Sequence, residues 1–181
     1  MDFRGKTALV TGGAKRLGRA IAMGLARAGA NVVVHYHTSK TAADELVASL
    51  EALHVRAWAI PGDLADPVES EHLFGRVVSA AGSLDILVNS APIFPESTFQ
   101  EVNADHLRQN IQVNAWAPLV LSRAFAAQGR RGHIINLLDC RIVDYDARHV
   151  AYHVSKRMLF TFTRISAVEF APDVQVNAVA P

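Results

Sequence analysis

Short apolar runs alternate along the chain with longer segments in which apolar residues recur every three or four positions. TALVT (Thr7–Thr11), NVVVHY (Asn31–Tyr36), VRAWAI (Val55–Ile60), DILVN (Asp85–Asn89), HIINLL (His133–Leu138) and VQVNAV (Val174–Val179) are brief and rich in β-branched residues, as buried strands are. Five segments of helical period surround them: RLGRAIAMGLARAG, KTAADELVASLEAL, PVESEHLFGRVVSAAG, a long stretch from about Phe99 to Gln128, and HVAYHVSKRMLFTFTRISAVEFA. Strands that are almost wholly apolar need cover on both faces, which predicts a parallel sheet with helices above and below. Right-handed crossovers then give a doubly wound α/β fold of the Rossmann type.

Local chemistry sharpens this outline. Asp66 before Pro67 predicts a capped helix start, with proline at the first helical position. Pro118 falls inside the fourth helical segment and predicts a kink there. No repeat, low-complexity segment or linker divides the 181 residues, so residues 1–181 are expected to form a single domain. The sequence closes on NAVAP, just past the sixth strand, where a doubly wound enzyme ordinarily still supplies substrate loops. The expectation is a domain incomplete at its C-terminus, with its last strand missing.

Composition excludes more than it assigns. Half of the residues are apolar and the formal net charge is +1, with the basic residues scattered, so a nucleic-acid partner is not expected. One cysteine, Cys140, cannot form an intrachain disulfide and fits a reducing compartment. No stretch reads as a signal peptide or a membrane span, and the expected location is the cytoplasm. His149 and His153 are four apart, but no glutamate of the H-E-x-x-H type accompanies them and no metal site is expected.

The turn between the first strand and the first helix, VTGGAKRLGRAIA, carries the first chemical signal. Glycines at that place let a backbone approach a pyrophosphate, which the positive end of the following helix then attracts. A P-loop is excluded, because Arg19 and Ala20 follow Gly18 where lysine and a hydroxyl are required. The strict G-x-G-x-x-G is broken as well, by Lys15.

Thr11-Gly12-x-x-x-Arg16-x-Gly18 resembles the T-G-x-x-x-G-x-G loop of the short-chain dehydrogenases/reductases, with arginine at the middle glycine. Asp63-Leu64 resembles the family's adenine-side pair. Asp85-x-Leu87-Val88-Asn89 resembles its D-x-L-V-N-N-A-G strand, continued here by Ser90 and Ala91, with Pro92 at the glycine. Asn114 matches its helix asparagine, Tyr152-x-x-x-Lys156 its Y-x-x-x-K pair, and Val176-Asn177-x-x-x-Pro181 the start of its V-N-x-x-x-P-G segment. The resemblance runs the length of the chain. It implies a nicotinamide cofactor held by Gly12, Arg16, Leu17, Gly18, Asp63, Leu64, Asn89, Ser90, Ala91, Tyr152, Lys156 and Pro181. It also implies a homodimer or homotetramer, and a continuation past the proline into a substrate loop and a seventh strand.

After the second strand stand His35-Tyr36-His37-Thr38-Ser39, with no carboxylate to meet an adenine ribose. Arg16, His37, Thr38 and Ser39 supply charge and donors for a 2′-phosphate, so NADPH is the expected cofactor. Tyrosine is a poor acid or base at neutral pH, and Lys156, one helical turn on, is expected to bring the pKa of Tyr152 down. By resemblance Lys156 also holds the nicotinamide ribose and Asn114 holds a water in a proton relay. Thirteen residues before the tyrosine the family usually has serine, but here stands Asp139. Its pteridine, dihydromonapterin and short-chain-type dihydrofolate reductases share that aspartate, the G-x-x-K-R-L-G loop and the H-Y-H turn, and they place a pterin-stacking aromatic where Phe94 falls. The expectation is an NADPH-dependent pteridine reductase with Asp139, Tyr152, Lys156 and Asn114 as catalytic residues and a small pterin substrate at Phe94, Asp139 and Tyr152. A carbonyl reductase such as a 3-oxoacyl-carrier-protein reductase, or a catalytically impaired nucleotide-binding fragment, is the alternative.

Overall fold

The structure is a computed structural model and describes residues 2–181. Six parallel strands form one sheet: β1 (Thr7–Val10), β2 (Asn31–Tyr36), β3 (Ala57–Pro61), β4 (Ile86–Asn89), β5 (Gly132–Leu137) and β6 (Val174–Val179), in the order β3-β2-β1-β4-β5-β6. The doubly wound expectation is met, with strand ends displaced by at most two residues; β3 begins at Ala57 where the apolar run begins at Val55.

Alternation along the strands feeds two cores. Ala8, Val10, Val32 and Val34 pack under α1 (Arg16–Arg27) and α2 (Lys40–Glu51). Leu9, Val33, Leu87 and Ile134 face the other way, onto α3 (Pro67–Ala81) and the helical segment that ends at Ala126. Leu9 is wholly buried, so Leu9→Ala would cost about 2–5 kcal/mol. Asp66 caps α3 as expected, its Oδ1 accepting from the amides of Val68 at 2.8 Å and Glu69 at 3.3 Å.

The fourth helical segment differs from its prediction at the start. Asn103 caps it, accepting from Asp105 N and His106 N at 3.0 Å each, so α4 is Ala104–Ile111 and residues 99–103 stay outside. A π-helical turn, Gln112–Trp116, then joins α4 to α5 (Ala117–Ala126). Pro118 has no amide hydrogen to give to the preceding turn, and the irregularity it demands takes this wide form. The last helix, α6 (Val150–Glu169), lies alongside. Among the described residues no helix is long and apolar enough to cross a membrane.

β1 leads outward to β2 and β3, and the chain then crosses back to β4 on the far side of β1. The loops leaving β1 and β4 therefore part from one another, which opens a crevice at the carboxyl edge of the sheet.

Candidate active site

That crevice holds a cavity of about 710 Å³. At one end Gly12, Arg16, Leu17 and Gly18 line it. Gly12 has φ +61, and a side chain there would strike Ser90 O and Ala91 Cα at 2.9 Å. A Cβ on Gly18 would sit 2.3 Å from Gly12 O, so the helix start can press on the turn only with glycine at that point. Arg16, where the family has its middle glycine, also lies in the left-handed region, at φ +48. A non-glycine residue pays strain there.

At the neighbouring rim stand His37, Asp63 and Leu64. Asp63 Oδ2 is 3.7 Å from His37 Nε2, and Leu64 O accepts from Gln112 of the π-turn at 3.1 Å. Thr38 and Ser39, expected beside them, do not line the cavity. Ser90 and Ala91 do, and Thr11 ties them to β1, its Oγ1 accepting from Ser90 N at 2.9 Å. Asn89 lies beneath the floor and not in it: it is buried, and its Nδ2 donates to Asn136 Oδ1 at 2.8 Å.

The far end gathers the predicted chemistry, for Asp139, Tyr152, Lys156 and Pro181 all line it. Tyr152 on α6 donates its hydroxyl to Asp139 Oδ2 at 2.9 Å, while Asp139 Oδ1 accepts from Arg141 N at 2.8 Å. Lys156, one turn on, is buried; its Nζ donates to Leu137 O at 2.5 Å and lies 5.7 Å from the Tyr152 ring centre.

The electrostatics correct one expectation. Burial, then the hydrogen bond to Asp139 and the charge of Asp139, push the Tyr152 pKa above its usual 10 and not below it. An acceptor carboxylate touching the hydroxyl outweighs an ammonium that is more distant and committed to a carbonyl. Burial brings Lys156 down to about 8. Burial also raises Asp139, but the Arg141 amide and the Tyr152 hydroxyl outweigh it and leave Asp139 below the ordinary carboxylate value. The site therefore holds a neutral phenol hydrogen-bonded to a charged carboxylate.

Asn114 differs too. Its Oδ1 accepts from Ile93 N at 2.8 Å, and its Nδ2 donates to Ile93 O, Asn110 Oδ1 and Ser155 Oγ. The side chain clamps the β4 loop to the π-turn and α6, and its Oδ1 keeps a second lone pair. Phe94, expected to stack a substrate ring, stacks on His149 at 3.8 Å between centres and meets Tyr152 edge-on at 4.5 Å. Ser97 fixes this arrangement, pairing with Arg148 O and with the amides of Val150 and Ala151. His149 and His153 do not converge on one point, for His149 pairs with the Asp146 carboxylate and His153 accepts from the Asp146 amide. No group of three potential metal ligands occurs among the described residues. Gln109 and His35 line the cavity unforeseen; Gln109 sits in a helix with no motif, and His35 was read only as part of an acid-free turn.

Known proteins share this architecture. A family model described as short chain dehydrogenase matches residues 6–181. The chain superposes with a TM-score of 0.95, at 38% identity, on a short chain dehydrogenase of Burkholderia cenocepacia solved with NADP, covering 100% of this chain and 75% of that one. It superposes at 0.93 and 27% identity on a FolM alternative dihydrofolate reductase 1 of Brucella canis complexed with NADP, again covering 100% and 75%. Versicolorin reductase 1 of Aspergillus parasiticus is 33% identical over 180 residues, 98% of this chain and 69% of that protein. Across the curated relatives the chain spans from 50% to 73% of their length.

Proposed function

We propose that this chain, which belongs to the short-chain dehydrogenase family, reduces a pteridine of the dihydropterin or dihydrofolate type with NADPH. The observation that carries the reading is the 2.9 Å bond between Tyr152 and Asp139 at the chemical end of the cavity. The cofactor fits the residues present. Gly12 and Gly18 let the β1 turn close against Ser90 and against the start of α1, which brings that helix N-terminus to the crevice, and α1 has no acidic residue in its first turn to repel a pyrophosphate. Arg16 and His37 are exposed at the rim, where a 2′-phosphate would be met. NADPH supplies a hydride when bound.

The chain's own residues supply the proton and the orientation. Tyr152, kept neutral by burial and by Asp139, is the proton donor to a ring nitrogen. Lys156 places a positive charge beneath it, which steadies the phenolate left behind. Asp139 is partly exposed and touches the hydroxyl, so it forms the route by which a solvent proton returns to Tyr152. As a charged acceptor it also favours a substrate edge rich in N–H groups, which a pterin has and a simple ketone lacks. Asn114 positions the site by fixing the β4 loop, and Phe94, which is exposed and meets Tyr152 edge-on, is the aromatic available to a substrate ring beside the hydroxyl.

Carbonyl reduction is the competing reading. The likeness to versicolorin reductase favours it, and a neutral phenol protonates a carbonyl oxygen as readily. Following NADPH oxidation with dihydrobiopterin, dihydromonapterin, dihydrofolate and acetoacetyl thioesters in parallel separates the two. Turnover of the thioesters alone would sink the pteridine assignment. The protein is further proposed to work in the cytoplasm as a dimer or tetramer through the outer faces of the π-turn with α5 and of α6, where Trp116, Phe160 and Ile165 are exposed. Light scattering of the purified protein tests that, and a monomer would refute it.

A further inference from the structure

His35 is a titratable residue in the heart of the cofactor crevice for which the chemistry above has no use. It sits near the end of β2, 2% exposed, and lines the cavity. Its Nδ1 accepts from Gly12 N at 3.2 Å and its Nε2 meets Gly62 O at 3.1 Å. The backbone repeats the pattern: His35 O accepts from Gly13 N at 3.0 Å, and Tyr36 O accepts from Gly62 N at 2.9 Å. One residue thus grips both glycines of the β1 turn and the loop after β3.

We propose that His35 is a positioning residue of the cofactor cradle, a strut whose ring sets the gap between the β1 turn and the β3 loop. It rests on the NADPH part of the reading above and not on the substrate. Only a neutral imidazole with its hydrogen on Nε2 meets both partners, since Gly62 O needs a donor and the Gly12 amide an acceptor. Burial, aided by the charges of His37 and Arg76 and opposed by the Gly62 bond and by Asp63, brings His35 down to about 4, so the ring stays neutral in ordinary buffers. An apolar residue of the same volume would fill the space but leave a buried amide and a carbonyl unpaired. The strut also removes the Gly12 amide from the donors free to meet a phosphate. Gly62 completes the fit, because a Cβ there would lie 3.3 Å from His35 Nε2.

The test is direct titration of NADPH and NADH onto wild-type, His35→Phe, His35→Asn and His35→Gln protein, each checked for folding by circular dichroism. Asparagine keeps an acceptor near the Nδ1 position and glutamine a donor near Nε2. His35→Phe is expected to bind both cofactors about tenfold more weakly, with their ratio unchanged, because two neutral hydrogen bonds are lost. His35→Asn should recover to within about threefold of wild type, since it still fixes the Gly12 amide. A purely space-filling role moves none of these, so a His35→Phe protein binding within twofold of wild type overturns the proposal. Should His35→Phe fail to fold, the other two decide: tighter binding by Asn than by Gln supports the strut, and equal binding overturns it. A wild-type protein that binds no NADPH at any concentration refutes the cofactor reading itself and not the strut.

Discussion

Replacing Arg16 by glycine should move stability and affinity in opposite directions. Arg16 holds φ +48, where a side chain costs about 1–2 kcal/mol relative to glycine. Glycine gives back about 0.5–1 kcal/mol through the entropy of the unfolded chain. The net change is between about zero and 1.5 kcal/mol in favour of Arg16→Gly, or a rise in Tm of up to about 6 °C for a chain of this size. Loss of a charge-assisted contact to a 2′-phosphate costs about 1.5–3 kcal/mol, which is about 10- to 150-fold in NADPH affinity. NADH has no such phosphate and should bind as before. Differential scanning calorimetry gives the first quantity and fluorescence titration with both cofactors gives the second. A variant that melts several degrees lower while keeping its NADPH-to-NADH preference would refute both halves of the reasoning, the strain and its purpose.

Tyr152→Phe should lower turnover by about 10²–10⁴ and leave the NADPH dissociation constant within threefold, as titration and steady-state rates will report. In Asp139→Asn the acceptor charge on Tyr152 is gone, so the basic limb of the kcat/KM profile should move to lower pH; a limb that stays in place refutes that electrostatic reading. Lys156 is depressed by burial from 10.5 to about 8, so between those values the unfolded chain holds a proton the folded one lacks, and stability from this group rises with pH. Below pH 8 the buried charge costs about 3 kcal/mol. Lys156→Met also loses the bond to Leu137 O, worth about 1 kcal/mol, and should be stabler by about 2 kcal/mol at pH 7 with the advantage gone by pH 10.5. Urea unfolding at the two pH values checks it. Asp66→Ala should cost about 1 kcal/mol by removing the cap on α3, seen as a Tm lower by about 2–4 °C.

The sheet was legible because both periods are clean here: buried parallel strands leave apolar runs, and amphipathic helices separate them. The start of α4 was not, since Phe99 and Val102 continue an apolar pattern while Asn103 interrupts it as a cap. Tyr152, Lys156 and Asp139 meet because the fourfold spacing lies on one helix face and β5 ends beside that helix. Asn114 and Asn89 fall in the predicted region, and each also ties neighbouring elements together in a way the motif does not announce. A motif fixes a residue's position, but not whether its polar atoms point into a cavity or are spent holding loops together. His35 escaped because an inward side chain near the end of a strand carries no pattern of its own, and its partners are backbone atoms from loops far apart in sequence. The sign of the Tyr152 shift escaped for a related reason: the lysine was visible one turn away, but the competing distances were not.

The central claim is that Asp139, paired with Tyr152, selects a pteridine over a ketone. It is tested most directly by kcat/KM for dihydrobiopterin and for an acetoacetyl thioester, measured on wild type and on Asp139→Ser. The wild type should prefer the dihydropterin, and Asp139→Ser should lose that preference by at least about tenfold while binding NADPH unchanged, as expected for a lost hydrogen bond to a charged group. An unchanged preference in Asp139→Ser, or a wild type that turns over only the thioester, contradicts the claim.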